Sequence, residues 1–418
     1  MPSNVIQSNQ TGLVKTIWPQ KSIYEIVFRG VPFLGLIPKD ENCNEWNWRL
    51  AAGYSLAQGL SSTYATARTN RNASKSVEFQ LSPYPYYGVE LIDGRTMRRA
   101  NSDKAYVLNI VKRSAQNLLT QANRDFCYFI HGNGGGALGQ IGATATTTIT
   151  LLNPKDINAF SVGMTIDLST ADGTSGAIRT VVSPAEITQV GTEENPVLTF
   201  GANVSTYFGS APAVNDYIFR SGTFGAVMPG LAGWCPAHAG TPGTFLTVNR
   251  NIAPQQLAGV SLSVAALTVR AAILRIARRV FDQGGTPDLV LLSTTQWENL
   301  HNELLTAGSL RMTKVPAAKV GSVSVGIEYD AIEMVGPGGT MKVVPDVFMP
   351  ATIVRVLTTE TWKLRTQGPL FQWIENASLT SGGLKMENTT DDYEMRLISD
   401  GALQCEAPGF NGVGYGLT

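Results

Sequence analysis

The chain has 418 residues, with 32 Lys and Arg against 32 Asp and Glu, and only 15% of its residues are charged. This balance excludes a protein-wide basic field for nucleic acid and an acidic tail, and the length predicts two or three structural modules. So few charges on a long chain favour burial of surface against copies of itself; a surface rich in Gly, Thr and Ser is the alternative explanation.

No targeting or membrane segment is predicted. The first ten residues lack a basic start followed by an apolar run, so we expect no signal peptide. No stretch approaches eighteen apolar residues, so we expect no membrane contact. The four cysteines are far apart and are expected to be buried thiols in a reducing compartment. The chain is therefore expected to be soluble and cytoplasmic when it is made.

The N-terminal part predicts an arm and a hairpin. Residues 1–45 are broken by several prolines and read as an extended arm with one short helix. Residues 46–50 and 76–81 alternate apolar and polar side chains, which is typical of strands. The polar stretch between them, 64–75, has no apolar face. Because an isolated hairpin is marginal in water, we expect this projection to lie on another surface.

The longest predicted element is a helix over residues 103–130, with apolar residues every three or four positions. Asn101 and Ser102 suit its N-cap, and Gly132 suits its C-terminal end. Its length of roughly 40 Å follows from a rise of about 1.5 Å per residue.

Residues 142–222 are predicted to be all-β. Short β-branched stretches separated by turn signals favour a small barrel or a sandwich, and no helix is expected there. The predicted strands are 146–152, 164–168, 178–182, 197–200 and 217–219.

The remainder alternates helices and strands. A helix is predicted over 261–281, ended by Gly284 and Gly285, then a buried strand at 288–292. Ser293 to Gln296 reads as a capping box for a helix that runs through Leu305. Strands are expected at 353–357, 362–364 and 393–398.

The glycine cluster at 132–139 (GNGGGALG) contains G-x-G-x-x-A. A dinucleotide loop needs that turn after a strand and before a helix, because the pyrophosphate binds at the helix N-terminus. Here a helix precedes the glycines and strands follow, and no G-K-[ST] is present. We therefore interpret the glycines as serving a turn and close backbone passage between modules.

No catalytic, cofactor or metal site is predicted. Cys235-x-x-His238 has no second ligand pair nearby, and His131 and His301 stand in no recognisable motif. An enzyme with dispersed catalytic residues stays open at this point. The sequence has two basic clusters: Arg95, Arg98 and Arg99, and Arg275, Arg278 and Arg279. Weak contact with phosphates and pairing with carboxylates of neighbouring subunits are the two interpretations, and pairing is favoured.

The order of modules and several phrases resemble one family. The chain is similar to tailed-bacteriophage major capsid proteins of Hong Kong 97-like fold, in the branch with an insertion domain. The phrases carrying the resemblance are 31–39 (VPFLGLIPK), 87–93 (YGVELID), 130–139 (IHGNGGGALG), 162–164 (VGM), 231–234 (LAGW), 251–259 (NIAPQQLAG), and the terminal DYE, APG and NG at 392, 407 and 411.

The resemblance implies an α+β fold with six parts. These are an N-terminal arm (1–45), an extended loop lying over an adjacent subunit (46–87), a peripheral domain with the spine helix (88–141), a β-rich insertion domain (142–222), an axial domain (223–345) and a strand-rich return (346–418).

The implied function is self-assembly of pentamers and hexamers into an icosahedral shell around double-stranded DNA. The shell is expected in the virion, assembled in the bacterial cytoplasm. Expected partners are a separate scaffolding protein, a portal protein, decoration proteins in some cases, and packaged DNA through weak non-specific contact. We expect Arg68, Arg71 and Lys75 to form ion pairs between capsomers. An encapsulin-like compartment, disfavoured by the insertion, and a nucleotide-using enzyme remain the alternatives.

Two departures from the family are informative. The fold-like pattern starts almost at Met1, whereas some relatives carry a scaffolding region that a protease removes. The Lys, Asn and Glu with which some relatives cross-link their subunits have no match here.

We therefore expect neither maturation cleavage nor covalent cross-linking. Denaturing electrophoresis of boiled particles should give one band at the mass of the full chain. A ladder would contradict the absence of cross-links, and a lighter band would contradict the absence of cleavage.

Overall fold

The computed structural model describes residues 32–41, 47–94, 104–306, 312–315, 318–320, 323–325, 329–374, 384–386 and 391–417. The chain forms two compact units. One is Arg124–Gly233, and the other combines Met1–Asn123 with Trp234–Thr418. The first unit is therefore inserted into the sequence of the second. Of the predicted arm, residues 1–31 and 42–45 lie outside the described residues.

A mixed seven-stranded sheet lies in the discontinuous unit. Its strands, in spatial order, are Val260–Ser263, Gly412–Tyr415, Ile353–Leu357, Leu289–Ser293, Gly339–Asp346, Tyr329–Gly336 and Met312–Val315. Leu289–Ser293 is parallel to Gly339–Asp346 and antiparallel to Ile353–Leu357, and all five of its residues are buried. The predicted buried strand is confirmed.

Two helices, Val269–Asp282 and Thr294–Thr306, pack on this sheet. Ile273, Ile276 and Val280 lie in one apolar cluster with Val290 and Leu292. Apolar residues at three- and four-residue spacing place this face of the helix on the sheet. Ser293 Oγ accepts a hydrogen bond from the Gln296 backbone N–H at 3.3 Å, as the predicted capping box requires.

The predicted helix start at 261 is wrong. Val260–Ser263 is an edge strand, parallel to Gly412–Tyr415, and the helix begins at Val269 after the N-cap Thr268. Alternating apolar residues at Val260, Leu262 and Val264 fit a strand as well as a helix, and pairing with the C-terminal strand decides between them.

A second sheet has six strands. Lys39–Asp40, Trp362–Thr366, Tyr393–Cys405 and Gln372–Trp373 lie in that order, and both Leu384–Met386 and Tyr84–Ile92 also pair with Tyr393–Cys405. The predicted strands at 362–364 and 393–398 are confirmed and are longer than expected. Tyr84–Ile92, antiparallel along its whole length to Tyr393–Gly401, was not predicted as a separate strand.

Asn411 joins these sheets. Its Oδ1 accepts hydrogen bonds from the Thr358 backbone N–H at 3.0 Å and the Trp362 Nε1–H at 2.8 Å. Its Nδ2 donates to Thr361 Oγ1 and to the carbonyl of Ala407, each at 3.0 Å. Because buried amides are costly unless bonded, this arrangement fixes how the C-terminal strand enters the seven-stranded sheet.

Smaller elements complete the discontinuous unit. They are the helices Pro32–Leu36, Tyr64–Thr69 and Pro254–Ala258, the 3₁₀ turns Arg250–Ile252, Thr359–Thr361 and Pro408–Phe410, and the two-stranded ladders Trp48–Ser55 with Lys75–Leu81, Thr244–Phe245 with Val248–Asn249, and Ala318–Val320 with Val323–Val325. A further short helix, Leu231–Trp234, lies where the two units meet in sequence.

The long helix is Lys104–His131, which confirms the prediction to within one residue at each end. Gly132 donates its backbone N–H to the carbonyls of Tyr128 and Phe129, at 3.1 and 3.0 Å, where the helix ends. The expected N-cap residues, Asn101 and Ser102, lie outside the described residues.

The inserted unit contains a closed barrel. Its strands follow the order Tyr217–Arg220, Ala137–Thr144, Thr148–Leu151, Val197–Phe200, Ala185–Val190 and Thr165–Ser169. Of the two architectures left open by the sequence, the barrel is the one formed. Alternate strand residues such as Ile149, Ile166, Ile187, Leu198 and Ile218 are fully buried and fill its interior.

Two predictions for this unit are wrong. Residues 178–182 form only isolated bridges, Ser169 with Ile178 and Val181 with Phe208, because the barrel closes without them. The unit is also not free of helix, since Pro154–Ala159 is a 3₁₀ helix and Val204–Tyr207 a short α-helix. Asn203 caps the latter by accepting from the Ser205 N–H at 3.1 Å.

The glycine cluster lies where the chain enters and leaves this unit. Gly134 and Gly136 have φ of 94° and 86°, which favour glycine. A Cβ on Gly135 would lie 1.9 Å from the Asp172 carbonyl oxygen, and one on Gly136 would lie 2.5 Å from that of Thr223. The predicted turn and close backbone passage are therefore confirmed.

A largely desolvated carboxyl group lies in the 3₁₀ helix Pro154–Ala159. Asp156 accepts a hydrogen bond from Asn153 Nδ2 at 2.7 Å, and its Cβ lies 3.2 Å from where a Gly139 Cβ would be. Burial raises the pKa of Asp156 to about 7, although the hydrogen bond from Asn153 opposes the shift.

Alanine at Gly136 should test the close passage, with alanine at Gly222 as the matched control. Gly222 also has positive φ, at 83°, but nothing lies within 4 Å of its added Cβ. Gly222→Ala should lower the free energy of unfolding by about 1 kcal/mol, because of the backbone conformation alone. Gly136→Ala should lower it by about 2 kcal/mol more, because its Cβ clashes with the Thr223 carbonyl. Denaturant unfolding of the unassembled chain measures both; equal losses would contradict the packing explanation.

Asp156 should make stability fall as pH rises. Its folded pKa lies above that of the unfolded chain, so the folded state binds more protons between about pH 4 and 7 and loses stability across that range. Asp156→Asn keeps an acceptor for Asn153 and removes the titration, so its unfolding free energy should vary less with pH. The upper limit of the total effect on the free energy of unfolding is on the order of 4 kcal/mol. If the unfolding free energies of the natural chain and of Asp156→Asn change with pH in the same way, the raised pKa of Asp156 is contradicted.

Candidate assembly surface

The strands of the predicted hairpin are Trp48–Ser55 and Lys75–Leu81. They are antiparallel, with Trp48 opposite Leu81 and Ser55 opposite Lys75. The predicted strand, tip and strand are confirmed. No third strand joins this ladder in the part of the chain that the structure describes.

Only the base of the hairpin has a core. Trp48, Phe79 and Leu81 are buried, and Phe79 packs edge-on against Trp234 at a centroid distance of 5.2 Å. Trp234 in turn donates its indole N–H to the Leu403 carbonyl at 2.8 Å. The base of the hairpin is therefore anchored through Trp234 to the strand Tyr393–Cys405 of the six-stranded sheet, and the tip projects from this base.

The tip, which we define as residues 56–75 and which includes the first residue of the second strand, exposes large apolar side chains. Leu56, Leu60 and Tyr64 are 80%, 86% and 83% exposed. The short helix Tyr64–Thr69 buries none of its residues, and Thr63 Oγ1 and Thr66 Oγ1 are hydrogen-bonded at its start, 2.8 Å apart. Apolar exposure of this degree on a formed element is typical of an interaction surface.

The tip is also cationic. Arg68, Arg71 and Lys75 are all exposed, and the sequence has no Asp or Glu from Leu56 to Lys75. None of the three forms a salt bridge with a described carboxylate, whereas Arg49 at the base pairs with Glu78 at 3.2 Å. The structure thus brings the three expected assembly residues onto one projecting element without a partner inside the described chain.

The sequence drew attention to the charges of this surface and missed its apolar part. Leu56, Leu60 and Tyr64 recur at four-residue spacing, but only Tyr64 lies in a helix, so this spacing does not place them on one helix face. The available signal was the presence of large apolar residues in a segment that cannot form a core of its own.

The other candidate residues are dispersed. His131 is at the end of the long helix, His301 stacks on Trp297 at 5.4 Å, and His238 Nδ1 accepts from the Gly240 N–H at 3.0 Å. Burial raises the pKa of the Cys235 thiol to about 12. Cys127, Cys235 and Cys405 are buried free thiols, and Cys43 lies outside the described residues.

Within the described ranges, no three His, Cys, Asp or Glu residues are grouped so that they could hold a metal ion. None of the helices described there is long and apolar enough to cross a membrane. Of the basic clusters, Arg275, Arg278 and Arg279 are exposed on the helix Val269–Asp282, and Arg95, Arg98 and Arg99 lie outside the described residues.

Comparison with known proteins gives one family. Residues 220–378 match the model of the SU10 major capsid protein family, and no curated protein matches the chain.

Solved capsid structures also match most of the chain at low sequence identity. The Cyanophage A-1(L) capsid asymmetric unit is 12% identical, with 93% of this chain and 92% of that chain covered and a TM-score of 0.47. The capsid of a native GTA particle is 8% identical, with 92% and 91% covered and a TM-score of 0.42. The procapsid of satellite phage P4, which includes a size determination (Sid) protein, is 10% identical, with 98% and 99% covered and a TM-score of 0.39.

The family match confirms the predicted resemblance to major capsid proteins, and with it the expected function in a phage head shell and the expected place in the virion. It is also consistent with the mixed helices and sheets described above.

Proposed function

We propose that the chain is the subunit of an icosahedral head shell in which the hairpin tip binds an adjacent subunit. The observation that carries this proposal is the tip itself, with three large apolar residues at least 80% exposed beside three cations that lack a described partner. Apolar residues surrounded by charged ones are typical of a protein interface, and assembly from multiple copies agrees with the family match.

The parts of the chain are proposed to follow the Hong Kong 97-like organisation. Residues 1–45 serve as the arm, 46–87 as the extended loop, and 88–141 as the peripheral domain around the long helix. Residues 142–222, which contain most of the barrel, serve as the insertion domain, 223–345 as the axial domain, and 346–418 as the return. The insertion of Arg124–Gly233 into the sequence of the other unit supports this organisation.

The proposed role is structural rather than catalytic. Pentamers and hexamers of the chain enclose double-stranded DNA, with a separate scaffolding protein and a portal protein as partners and decoration proteins where present. Contact with DNA is weak and non-specific, because the chain carries equal numbers of basic and acidic residues and has no overall positive field.

Charge reversal at the tip should impair assembly. Replacing Arg68, Arg71 and Lys75 by Glu places like charge against a surface that accepts cations, which costs several kcal/mol in close contacts. The fraction of chain that sediments as particles should fall severalfold. The thermal midpoint of the unassembled chain should stay within about 1 °C, because the three residues are exposed and unpaired.

The control keeps the charge. Arg68→Lys with Arg71→Lys retains the cations and should assemble at close to the normal level, since exposed ion pairs depend mainly on charge. Normal particle yield from the triple Glu variant would refute the role of the tip.

A further inference from the structure

The helix Val269–Asp282 carries a second cationic surface. Its apolar side is buried on the seven-stranded sheet. Its C-terminal end is fixed by hydrogen bonds from the Gly284 N–H to the Phe281 carbonyl and from the Gly285 N–H to the Val280 carbonyl, at 2.9 and 3.1 Å. This Schellman pairing makes the outer side of the helix a rigid platform.

Three arginines form a compact cluster on that platform. Arg275, Arg278 and Arg279 are exposed and separated by three and four positions, so their side chains are neighbours on one helix face. We call them the arginine cluster.

The arginine cluster has no ionic partner in the described part of the chain. Glu303 is engaged at the other end of the helix, because its two oxygens accept the backbone N–H groups of Val269 and Arg270 at 3.0 and 3.2 Å. Some arginines elsewhere are paired, such as Arg179 with Asp216 at 2.7 Å. Unpaired guanidinium groups on a rigid face favour an anionic partner outside the chain.

A matching anionic element lies on the barrel. Glu193 and Glu194 are exposed at the turn between Ala185–Val190 and Val197–Phe200. The turn is closed by backbone hydrogen bonds in both directions between Thr192 and Asn195, at 3.1 and 3.0 Å. Lys155 is the neighbouring cation, since Glu193 raises its pKa against the lowering by burial.

We propose that the arginine cluster of one copy binds Glu193 and Glu194 of a second copy in the shell. Both elements are rigid and of opposite charge, and Phe281, which is 45% exposed, is the large apolar residue beside the arginine cluster. The hairpin tip is a poorer partner for the turn, because Leu56, Leu60 and Tyr64 need an apolar surface that the turn does not offer.

Nucleic acid is also a poorer partner for the arginine cluster. From Val269 to Thr306 the sequence contains four arginines, no lysine and four carboxylates, Asp282, Asp288, Glu298 and Glu303. A region without excess positive charge is poorly suited to bind a phosphate backbone, where affinity rises with each phosphate neutralised.

The test is a charge exchange in the full chain. Arg278→Glu with Arg279→Glu, and separately Glu193→Arg with Glu194→Arg, should each lower the particle fraction about tenfold, because like charges then face each other at every copy of the contact. The combination of all four substitutions should restore at least half of the normal particle yield. Arg278→Lys with Arg279→Lys is the matched control and should assemble normally.

Three outcomes would overturn the proposal. The first is normal assembly of either double variant. The second is failure of the fourfold variant to assemble although its unassembled chain unfolds at the normal temperature. The third is a lower thermal midpoint of both unassembled double variants that the fourfold variant restores, which would place the contact within one chain. A loss of packaged DNA at normal particle yield, unaffected by Glu193 and Glu194, would instead assign the arginine cluster to nucleic acid.

The inference rests on the proposed shell function but can fail separately. If the reversed pairs form normal shells, the shell function stands and this contact is absent. If the natural chain forms no shells, the shell function itself fails.

Discussion

The close passage of backbone at the glycine cluster is the constraint on which the two-unit organisation depends. The Gly132 carbonyl accepts hydrogen bonds from the N–H groups of Gly230 and Gly233, at 3.1 and 3.3 Å, and the Gly135 carbonyl accepts from Gly225 at 2.9 Å. The chain therefore enters and leaves the barrel unit along one path. The segment that enters the unit and the segment that leaves it pair each other's backbone N–H and C=O groups. A whole barrel is thereby accommodated in the middle of the other unit's sequence.

This constraint also explains why the cluster is not a ligand loop. The Asn133 side chain accepts from the Gly135 N–H at 2.9 Å and donates to Asp172 at 2.7 Å. The space that a Cβ would fill on Gly135 or Gly136 is occupied by carbonyl oxygens of the same unit. Glycine is required because chain lies against chain, and a phosphate group would have to displace it.

The sequence predicted the elements whose patterns are local. The long helix, the buried strand Leu289–Ser293 and the hairpin strands follow from periodicity, and the capping chemistry of Ser293 follows from residue type. The β-strand character of the inserted unit and the glycine passage were also accessible, because turn signals and the inverted order of helix and strand are properties of the sequence alone. The choice of a barrel over a sandwich was not.

The errors occurred where distant pairing decides the structure. Val260–Ser263 is a strand because Gly412–Tyr415 lies beside it, and Tyr84–Ile92 is a separate strand because Tyr393–Cys405 pairs with it. Residues 178–182 are β-branched but lie outside the closed barrel. The same limit applies to the hairpin tip, since no element among the described residues covers Leu56, Leu60 and Tyr64. We propose that an adjacent subunit covers that tip in a shell built from many copies.

Negative-stain electron microscopy of the purified natural chain tests this account most directly. The account predicts closed shells or curved lattices built from five- and six-membered rings of subunits. A solution of monomers, or of small closed oligomers that form no such rings at any concentration, would contradict it.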